Sequence, residues 1–290
     1  WTERILGVPS HAPYCVPPGL FPAAQRRIYC AVGGVELAES PPDLRDEVIT
    51  ALCAANAVGV RDRLTLAHLR AAGIQARLMP DPAVMVAELF GPTIGAHAAQ
   101  GELADVRAAF QSGYLAVQLG ADFGDDATLA ALAAQLDQAA TAAGLGIVLF
   151  RAGAAPWHDD LDCLQRLAGL LRTRPLTILN SLYLWDICAL IAHSRGYCGS
   201  SLHGRIVAMA FARPRLNVRP PQAGEPGKVQ AYTDTWEAPE LPTSAPVDAV
   251  AEQLHQALAA DPASLRSMAG ELAKRYRRMF AAHLPPCNRR

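Results

Sequence analysis

The sequence has no surplus of either charge. Its 26 lysine and arginine residues against 27 aspartate and glutamate residues give a formal net charge of −1 over 290 residues. A protein that binds nucleic acid through its phosphates needs an excess of basic side chains to displace counterions. The composition therefore argues against an electrostatically driven nucleic-acid binder, and we expect no nucleic-acid partner.

Long apolar runs and lysines are also scarce. Apolar runs such as 146–150 and 206–212 are far shorter than the roughly 18–20 residues that cross a bilayer. Only Lys228 and Lys274 are lysines, so arginine supplies almost all of the positive charge. The hydrophobic fraction of 51% still allows a sizeable core and excludes a disordered chain. At about 150 residues per domain, the length predicts two domains.

Cysteine is present without any recognisable motif. The seven cysteines form no C-x-x-C pair and are odd in number, which is typical neither of a zinc site nor of a disulfide framework. We therefore predict free thiols in a reducing compartment, most of them small core residues, and we expect no metal site. No charged-then-apolar leader opens the chain, so we expect no signal peptide.

Short apolar runs alternate with helical patterns, which predicts βα units around parallel sheets. A second set of such units follows a segment with little strand signal and one helix-like stretch at 95–110. We therefore predict an N-terminal α/β domain at 1–86, a connecting segment at 87–112 and a C-terminal α/β domain at 113–290. A loop at 220–246, rich in proline and glycine, precedes two closing helices. The predicted strands are 27–32, 57–60, 75–79, 114–119, 146–150, 175–179, 196–198 and 215–218.

Ligands of open α/β sheets bind at the carboxyl ends of the strands, a rule that selects the loops at 33–34, 61–62, 151–160 and 199–205. The last of these passes from a strand through two serines into a helix. Small residues and a helix N-terminus favour an anion on the backbone N–H groups, and serine hydroxyls can donate as well. His203 lies in the first turn of that helix. The alternative is that the serines only cap the helix, with His203 hydrogen-bonded beside them. The candidate anion-binding residues of the loop are Gly199, Ser200, Ser201, Gly204 and Arg205.

Two stretches carry a family resemblance. Residues 197–218, YCGSSLHGRIVAMAFARPRLNV, resemble the C-terminal signature of the polysaccharide pyruvyl transferase family: a Ser-x-x-His turn, an apolar helix, a proline and a strand. Residues 58–84, VGVRDRLTLAHLRAAGIQARLMPDPAV, resemble its N-domain pattern: a strand, Arg-Asp, a helix that ends at glycine, and a strand that ends in Asp-Pro. The two motifs occur in the family's order, about 120 residues apart.

The resemblance implies two Rossmann-like domains facing a cleft, similar to GT-B glycosyltransferases. The implied reaction moves the pyruvyl group of phosphoenolpyruvate onto a sugar of a polysaccharide or its lipid-linked precursor, forming a ketal. No cofactor beyond this donor is expected. The implied location is cytoplasmic, and a lipid-linked oligosaccharide acceptor would add peripheral contact with the inner membrane face.

The same resemblance assigns roles to particular residues. His203 is the candidate general acid/base, and Arg61 and Arg151 are candidate clamps for the phosphate and carboxylate. Two departures stand out: the family's first βα unit is not found, which implies an incomplete N-terminal domain, and Ser201 stands where many members have arginine. Arg205, Arg151 or Arg61 would then take over that arginine's contact.

Each assignment has a structural alternative. Arg61 could form a salt bridge with Asp62 or another acid. The 151–160 loop could be solvated, with Asp159 or Asp160 capping the next helix. His158, beside Asp159, could be part of an acid/base pair or bind substrate, and Asp81 could contact substrate or only shape a turn.

Two rival functions remain open from the sequence. A nucleotide-sugar glycosyltransferase would also use an anion site at a C-domain helix N-terminus. Retaining enzymes of that type often carry paired glutamates near this helix, whereas residues 199–218 contain no acidic residue. A non-catalytic binding protein with the same fold is the other rival.

Overall fold

The computed structural model describes residues 15–16, 23, 26–155, 158–221 and 227–283. The chain divides into two compact units, and each contains its own parallel sheet. Unit 1 takes the described residues up to Pro82, those from 227 to Trp236 and those from Lys274 onward. Unit 2 takes 83–221 and 237–273. The predicted α/β class with parallel sheets is confirmed.

Unit 1 is built on a three-stranded sheet in the order β1-β2-β3. Its core holds apolar side chains of the first two strands and of both following helices. The second helix begins after Asp62, whose carboxylate accepts the Thr65 N–H at 2.6 Å and so caps the helix. The elements are β1 (Ile28–Val32), α1 (Pro42–Cys53), β2 (Ala57–Val60), α2 (Arg63–Ala71) and β3 (Arg77–Leu78).

Unit 2 is built on a six-stranded parallel sheet in the order β6-β5-β4-β7-β8-β9. The chain runs outward from β4 through β5 to β6, then returns to the other side of β4 as β7. The strand order therefore reverses between β4 and β7. The strands are β4 (Tyr114–Gln118), β5 (Gly146–Phe150), β6 (Leu176–Leu179), β7 (Gly196–Gly199), β8 (Arg215–Val218) and β9 (Ser244–Ala245).

Helices cover both faces of this sheet. On β4, Leu115 and Val117 belong to one apolar core, while Tyr114 and Ala116 belong to the other, because alternate side chains point to opposite faces. A strand covered on both sides needs a continuous apolar run, and the sequence has such runs here. The first face packs against α5 (Asp126–Ala143), α6 (Leu161–Leu170) and α10 (Val250–Leu258); the second packs against α3 (Val86–His97), α4 (Gly101–Ala109), α7 (Leu184–His193) and α8 (Leu202–Ala210).

The structure differs from the predicted domain limits in several places. The described residues from Lys274 onward belong to unit 1 and not to the predicted C-terminal domain. The predicted connecting segment at 87–112 forms α3 and α4, whose buried side chains, among them Ile94 and Val106, join the core of unit 2. The predicted loop at 220–246 contains α9 (Lys228–Trp236), which belongs to unit 1, and β9, which extends the large sheet. The final helix, α11 (Pro262–His283), begins after Asp261, whose carboxylate accepts the Ser264 N–H at 2.9 Å and caps the helix.

The six described cysteines are free thiols, as predicted, and four of them are buried. Cys198 lies at the end of β7, and its burial raises the pKa of the thiol to about 12. This thiol therefore stays protonated near neutral pH and is a core residue, not a nucleophile.

Candidate functional site

The candidate site of unit 2 lies at the carboxyl edge of the large sheet, where the strand order reverses. Gln118 ends β4 and Gly199 ends β7, and the two residues are partners in the register of the neighbouring strands. The loop after Gln118 leads to α5, and the loop after Gly199 leads to α8. Such a switch point opens a crevice at the carboxyl edge, and ligands of this fold class bind there.

The Ser200–Ser201 turn is held by hydrogen bonds to Gln118. The Ser200 N–H donates to the backbone oxygen of Gln118 at 3.2 Å, and the Ser201 N–H donates to its side-chain Oε1 at 2.9 Å. The Ser200 Oγ accepts the Gly120 N–H at 3.2 Å, and the Ser201 Oγ accepts the Gly204 N–H at 3.2 Å. The expectation that these backbone N–H groups bind an anion is therefore corrected, because they already have acceptors inside the protein.

The turn nevertheless retains hydrogen-bond donors. Ser201 caps α8 through its oxygen, and among the described residues no acceptor takes its hydroxyl proton. The Nε2 amide of the fully buried Gln118 likewise has no partner in the described part of the chain. A buried donor without an acceptor costs free energy, so the Gln118 amide favours an acceptor at this edge. The half-buried Ser201 hydroxyl can donate to the same ligand. Ser201 both caps the helix and can donate, so the two interpretations offered by the sequence are compatible.

Gly199 and Gly204 have steric roles. A Cβ atom on Gly204 would lie 2.5 Å from the hydroxyl oxygen of Tyr197, and one on Gly199 would lie 2.5 Å from the Gln118 backbone oxygen. Both glycines are buried. They allow Tyr197, which is fully buried, to donate its hydroxyl proton to the Ser201 backbone oxygen at 3.1 Å. Their predicted contact with the substrate stays a prediction.

The prediction that Arg205 binds substrate is corrected. Its side chain is 0% exposed and forms an ion pair with Glu237, with 2.7 Å between Nε and Oε1. Its other N–H groups donate to Glu237, to Asn217 and to the backbone oxygens of residues 242 and 243. All five donors are used inside the protein, so Arg205 anchors α8 and does not face a ligand.

His203 is exposed in the first turn of α8, two residues after Ser201. Its position matches the predicted one, beside the Ser200–Ser201 turn at the carboxyl edge of the sheet. An exposed imidazole at this place can exchange protons with a ligand held by the turn, which is the property a general acid/base needs.

The loop after β5 brings two more predicted residues to the same edge. Arg151 directly follows β5, and its buried Nε has no hydrogen-bond partner among the described residues. The Nδ1 atom of His158 lies 3.2 Å from Oδ1 of Asp159, and the other carboxylate oxygen of Asp159 accepts the Ala155 N–H at 3.0 Å. Asp160, in contrast, caps α6, as the structural alternative predicted.

His158 also lies close to the switch point. A Cβ atom on Gly120 would lie 3.4 Å from Nε2 of His158, and Gly120 donates to Ser200. The Asp159 carboxylate near Nδ1 favours a proton there and leaves Nε2 as the basic nitrogen. Unit 2 therefore offers a second acid/base candidate beside His203, with its own orienting carboxylate.

In unit 1, Arg61 and Asp81 contact each other. Arg61 Nη1 lies 3.3 Å from Oδ2 of the buried Asp81, while Asp62 caps α2 instead. The guanidinium lies against Gly33, where a Cβ atom would sit 2.5 Å from its Nε. Among the described residues, the other N–H groups of Arg61 have no acceptor. Arg61 therefore forms an ion pair, as the structural alternative proposed, and its partner is Asp81. Its other N–H groups can still donate to an anionic ligand.

Two residues of the unit 2 edge, Gln118 and Gly120, were not predicted from the sequence as ligand-site or positioning groups. Gln118 is a polar residue at the end of an apolar strand, and that pattern could have identified it. The contact between Gly120 and Ser200 joins residues 80 positions apart, and no local pattern encodes it.

Solved structures share this fold. The UDP-GlcNAc 2-epimerase of Neisseria meningitidis, bound to UDP-GlcNAc, has a TM-score of 0.61 at 9% identity, over 88% of this chain and 68% of that one. The UDP-forming α,α-trehalose-phosphate synthase of Burkholderia xenovorans, in complex with glucose-6-phosphate, has a TM-score of 0.60 at 16% identity. The match covers 91% of this chain and 68% of that one. A second structure of a UDP-forming synthase from that organism has a TM-score of 0.53 at 13% identity. The match covers 88% of this chain and 66% of that one.

These neighbours define the class of fold as the GT-B type, with α/β units on parallel sheets. The chain spans about two thirds of their length. A search of curated protein sequences found no match. The family model for polysaccharide pyruvyl transferase matches residues 33–220, well over half of the sequence. The chain belongs to the polysaccharide pyruvyl transferase family, and it is a transferase.

Proposed function

We propose that the protein transfers the pyruvyl group of phosphoenolpyruvate to a sugar and forms a ketal across two hydroxyls. The observation that carries this proposal is the set of unpartnered donors at the switch-point edge: the Ser201 hydroxyl, the Gln118 amide and the Arg151 Nε. Phosphoenolpyruvate carries a phosphate and a carboxylate, and both need N–H or O–H donors.

The proposed chemistry has a complete proton balance. One sugar hydroxyl adds to C2 of the donor while the methylene carbon gains a proton and becomes a methyl group. The C2–O bond to phosphate then breaks as the second hydroxyl adds. One hydroxyl proton ends on the methyl group and the other on the released phosphate.

In this proposal, His203 moves a proton between the sugar hydroxyl and the methylene carbon. Its exposure beside Ser201 supports the role. Arg151 stabilises negative charge on the donor, and Arg61 of unit 1, oriented by Asp81, binds an anionic group of a substrate. His158, paired with Asp159, is the alternative proton carrier.

The rival function is transfer of a sugar from a nucleotide donor. It is favoured by two of the structural neighbours, a UDP-forming synthase and an epimerase bound to UDP-GlcNAc. It is disfavoured for retaining enzymes by the lack of any acidic residue between Gly199 and Val218. The two functions require different donors, so donor binding separates them.

Thermal unfolding with each donor tests the proposal. A ligand at 100 times its Kd stabilises the folded state by about 2.7 kcal/mol, so phosphoenolpyruvate should raise the Tm of the parent by more than that of Ser201→Ala, while UDP and GDP should shift the Tm of both proteins equally. Release of inorganic phosphate from phosphoenolpyruvate, dependent on an added sugar acceptor, would establish transfer. A Tm shift that occurs with UDP or GDP alone and is lost in Ser201→Ala would favour the rival, and no shift with any of them would favour a binding protein.

The acceptor is proposed to be a polysaccharide sugar or its lipid-linked precursor. Among the described helices, none is long and apolar enough to cross a membrane. Exposed apolar side chains are concentrated at two neighbouring sites, on α3 and at the start of α7, where the rings of Phe90 and Trp185 are 4.8 Å apart. We propose that this patch contacts the lipid part of the acceptor or the membrane surface. Its exposed members are Leu89, Phe90, Leu182, Tyr183 and Leu184.

Replacement of Leu182 and Leu184 by serine tests the patch. We expect weaker sedimentation with lipid vesicles and an unchanged rate on a short, water-soluble sugar acceptor. Unchanged sedimentation, with the parent protein bound to vesicles, would remove the patch from this role.

A further inference from the structure

A basic cavity lies at the opposite, amino edge of the large sheet. It has a volume of about 500 Å³. Tyr114 at the start of β4, Arg195 just before β7 and Arg213 just before β8 line it, together with Arg107 near the end of α4 and His193 at the end of α7. β4 runs from Tyr114 at this edge to Gln118 at the other, roughly 13–17 Å along an extended strand. The cavity is therefore separate from the switch-point site.

The charge of this cavity is one-sided. No aspartate or glutamate is among its described lining residues. In the described part of the chain, the side chains of Arg107, Arg195 and Arg213 have neither an ion pair nor a hydrogen bond. Arg61 and Arg205, in contrast, are paired with carboxylates.

The surroundings of Arg213 and Arg195 show how these two side chains lie against the protein. The Nε atom of Arg213 is buried without a hydrogen-bond partner in the described residues. Arg195 lies against Gly113, where a Cβ atom would sit 2.7 Å from its Cγ. Gly113 also has a φ of +97°, in the region that favours glycine. The backbone is thus shaped to let a guanidinium lie close to it.

Helix ends do not neutralise this charge. The helices α4, α7 and α8 end at this edge, and each C-terminus carries roughly −0.5 of an elementary charge, or about −1.5 for three. The three arginines supply three positive charges, so a net positive charge remains. Burial, Arg213 and Arg107 lower the pKa of His193, and burial and Arg195 lower the pKa of the Arg213 guanidinium. Burial is the larger cause of both shifts, and the repulsion among these cations adds to it. A bound anion would relieve that repulsion.

We propose that this cavity binds a phosphate or diphosphate group. Guanidinium groups match the oxygens of such a group in geometry and charge. Leu103, Val106 and Phe110 give the cavity an apolar wall on one side, which suits a phosphate carried on a larger, partly apolar body. A free phosphorylated molecule and a lipid headgroup share this chemistry, and the experiment distinguishes them.

Binding of pyrophosphate to the full chain tests the soluble source. We measure affinity by calorimetry and follow the His193 imidazole by NMR during a pH titration. We expect saturable binding that raises the pKa of His193, because an anion favours the imidazolium facing Arg107, Arg195 and Arg213. Arg213→Gln and Arg195→Gln should each weaken binding about tenfold or more. Arg70→Gln, the same charge change on α2 of unit 1, should leave this binding unchanged.

Vesicles of phosphatidylcholine with and without phosphatidylglycerol test the lipid source. Binding that needs phosphatidylglycerol and is lost in Arg213→Gln, without binding of pyrophosphate, would support the cavity with a headgroup as its ligand. The proposal would be overturned if the parent protein bound neither pyrophosphate nor vesicles. It would also be overturned if Arg213→Gln and Arg195→Gln bound both as tightly as the parent. Only the part of the Tm shift with phosphoenolpyruvate that Ser201→Ala removes reports on the other edge, so failure here leaves the proposed function untouched.

Discussion

At the scale of single residues, Ser201 combines two roles that substitution can separate. Its oxygen accepts the Gly204 N–H and caps α8, while its hydroxyl proton has no acceptor among the described residues. Aspartate is as good an N-cap as serine, but it cannot donate when ionised and it repels an anion. The pair Ser201→Ala and Ser201→Asp therefore distinguishes helix stability from ligand binding.

We predict that Ser201→Ala lowers stability by about 1 kcal/mol and weakens phosphoenolpyruvate binding roughly 10- to 100-fold. Ser201→Asp should keep the stability of the parent and bind the donor more weakly still. Urea unfolding and calorimetry measure the two effects. Parent-like donor affinity in Ser201→Asp would move the anion site away from this turn.

The two histidines at the carboxyl edge give a second prediction at this scale. We expect His203→Ala to lower turnover by about 10²–10⁴-fold, with a much smaller change in donor affinity, and His203→Asn not to restore it. His158→Ala should affect turnover less. Single-turnover rates and calorimetric Kd values measured on the same variants separate the proton-transfer role from binding.

Two other outcomes have clear meanings. A parallel fall in rate and affinity for His203→Ala would make His203 an anchoring residue. Full activity would remove it from the mechanism and leave the His158–Asp159 pair, whose Nδ1–Oδ1 distance is 3.2 Å. Asp159→Asn would then slow the reaction while leaving His158 in place.

At the scale of secondary-structure elements, a buried ion-pair network joins α8 to β8. Glu237 is 0% exposed and contacts both Arg205 and Arg215 at 2.7 Å. Burial raises the pKa of Glu237, and the two guanidinium groups lower it more, to about 2. Removing one member of such a network leaves the others buried without a counter-charge.

We predict that Glu237→Gln lowers the free energy of unfolding by about 3–5 kcal/mol. The pKa of Glu237 is about 2 in the folded state against an ordinary value of 4.5. Its contribution to stability is thus complete above about pH 4.5 and is lost as the pH falls toward 2. The Tm of the parent should therefore fall as the pH falls from 4.5 toward 2. The Tm of Glu237→Gln should fall less over the same range, because this variant lacks the contribution of Glu237.

Glu240→Gln is the matched control, because Glu240 is exposed only three residues away. It should behave like the parent at every pH. Equal stability of Glu237→Gln and the parent at neutral pH would contradict the role of the network.

The sequence predicted the elements whose signals are local. The strands at 57–60, 146–150 and 215–218 have the predicted bounds, because short apolar runs are flanked there by turn residues. α9 was missed because its contacts are distant: Trp236 donates to the Arg61 backbone oxygen, and the Arg63 N–H donates to Thr235. Arg205 was misassigned for the same reason, since its partner Glu237 is 32 residues away.

The candidate site was predicted in part. A strand that runs through two serines into a helix is a local pattern, and the structure has this turn at the carboxyl edge. The sequence could not show which of its donors are already used. That depends on Gln118 and Gly120, which approach the turn only through the parallel pairing of β4 with β7.

At the scale of the whole molecule, the chain builds two units with separate apolar cores. Unit 1 is assembled from three stretches of chain. One of them, α9, contacts the residue that follows β2: Trp236 Nε1 donates to the Arg61 backbone oxygen at 2.6 Å. Arg275 lies over the ring of Trp236, 4.8 Å from its centroid. Unit 2 also has a tryptophan on a helix, Trp185 of α7, which packs against Phe90.

The last prediction compares two identical substitutions, Trp236→Phe and Trp185→Phe. The first removes a buried hydrogen bond and leaves the Arg61 oxygen without its donor, at a cost of about 1–3 kcal/mol. Because the units have separate cores, local stability should change in one unit at a time. We expect faster amide hydrogen exchange in β1 and β2 for Trp236→Phe, and in β4 and β5 for Trp185→Phe. Equal loss of protection in both sheets for both variants would mean that the two units unfold as one cooperative body.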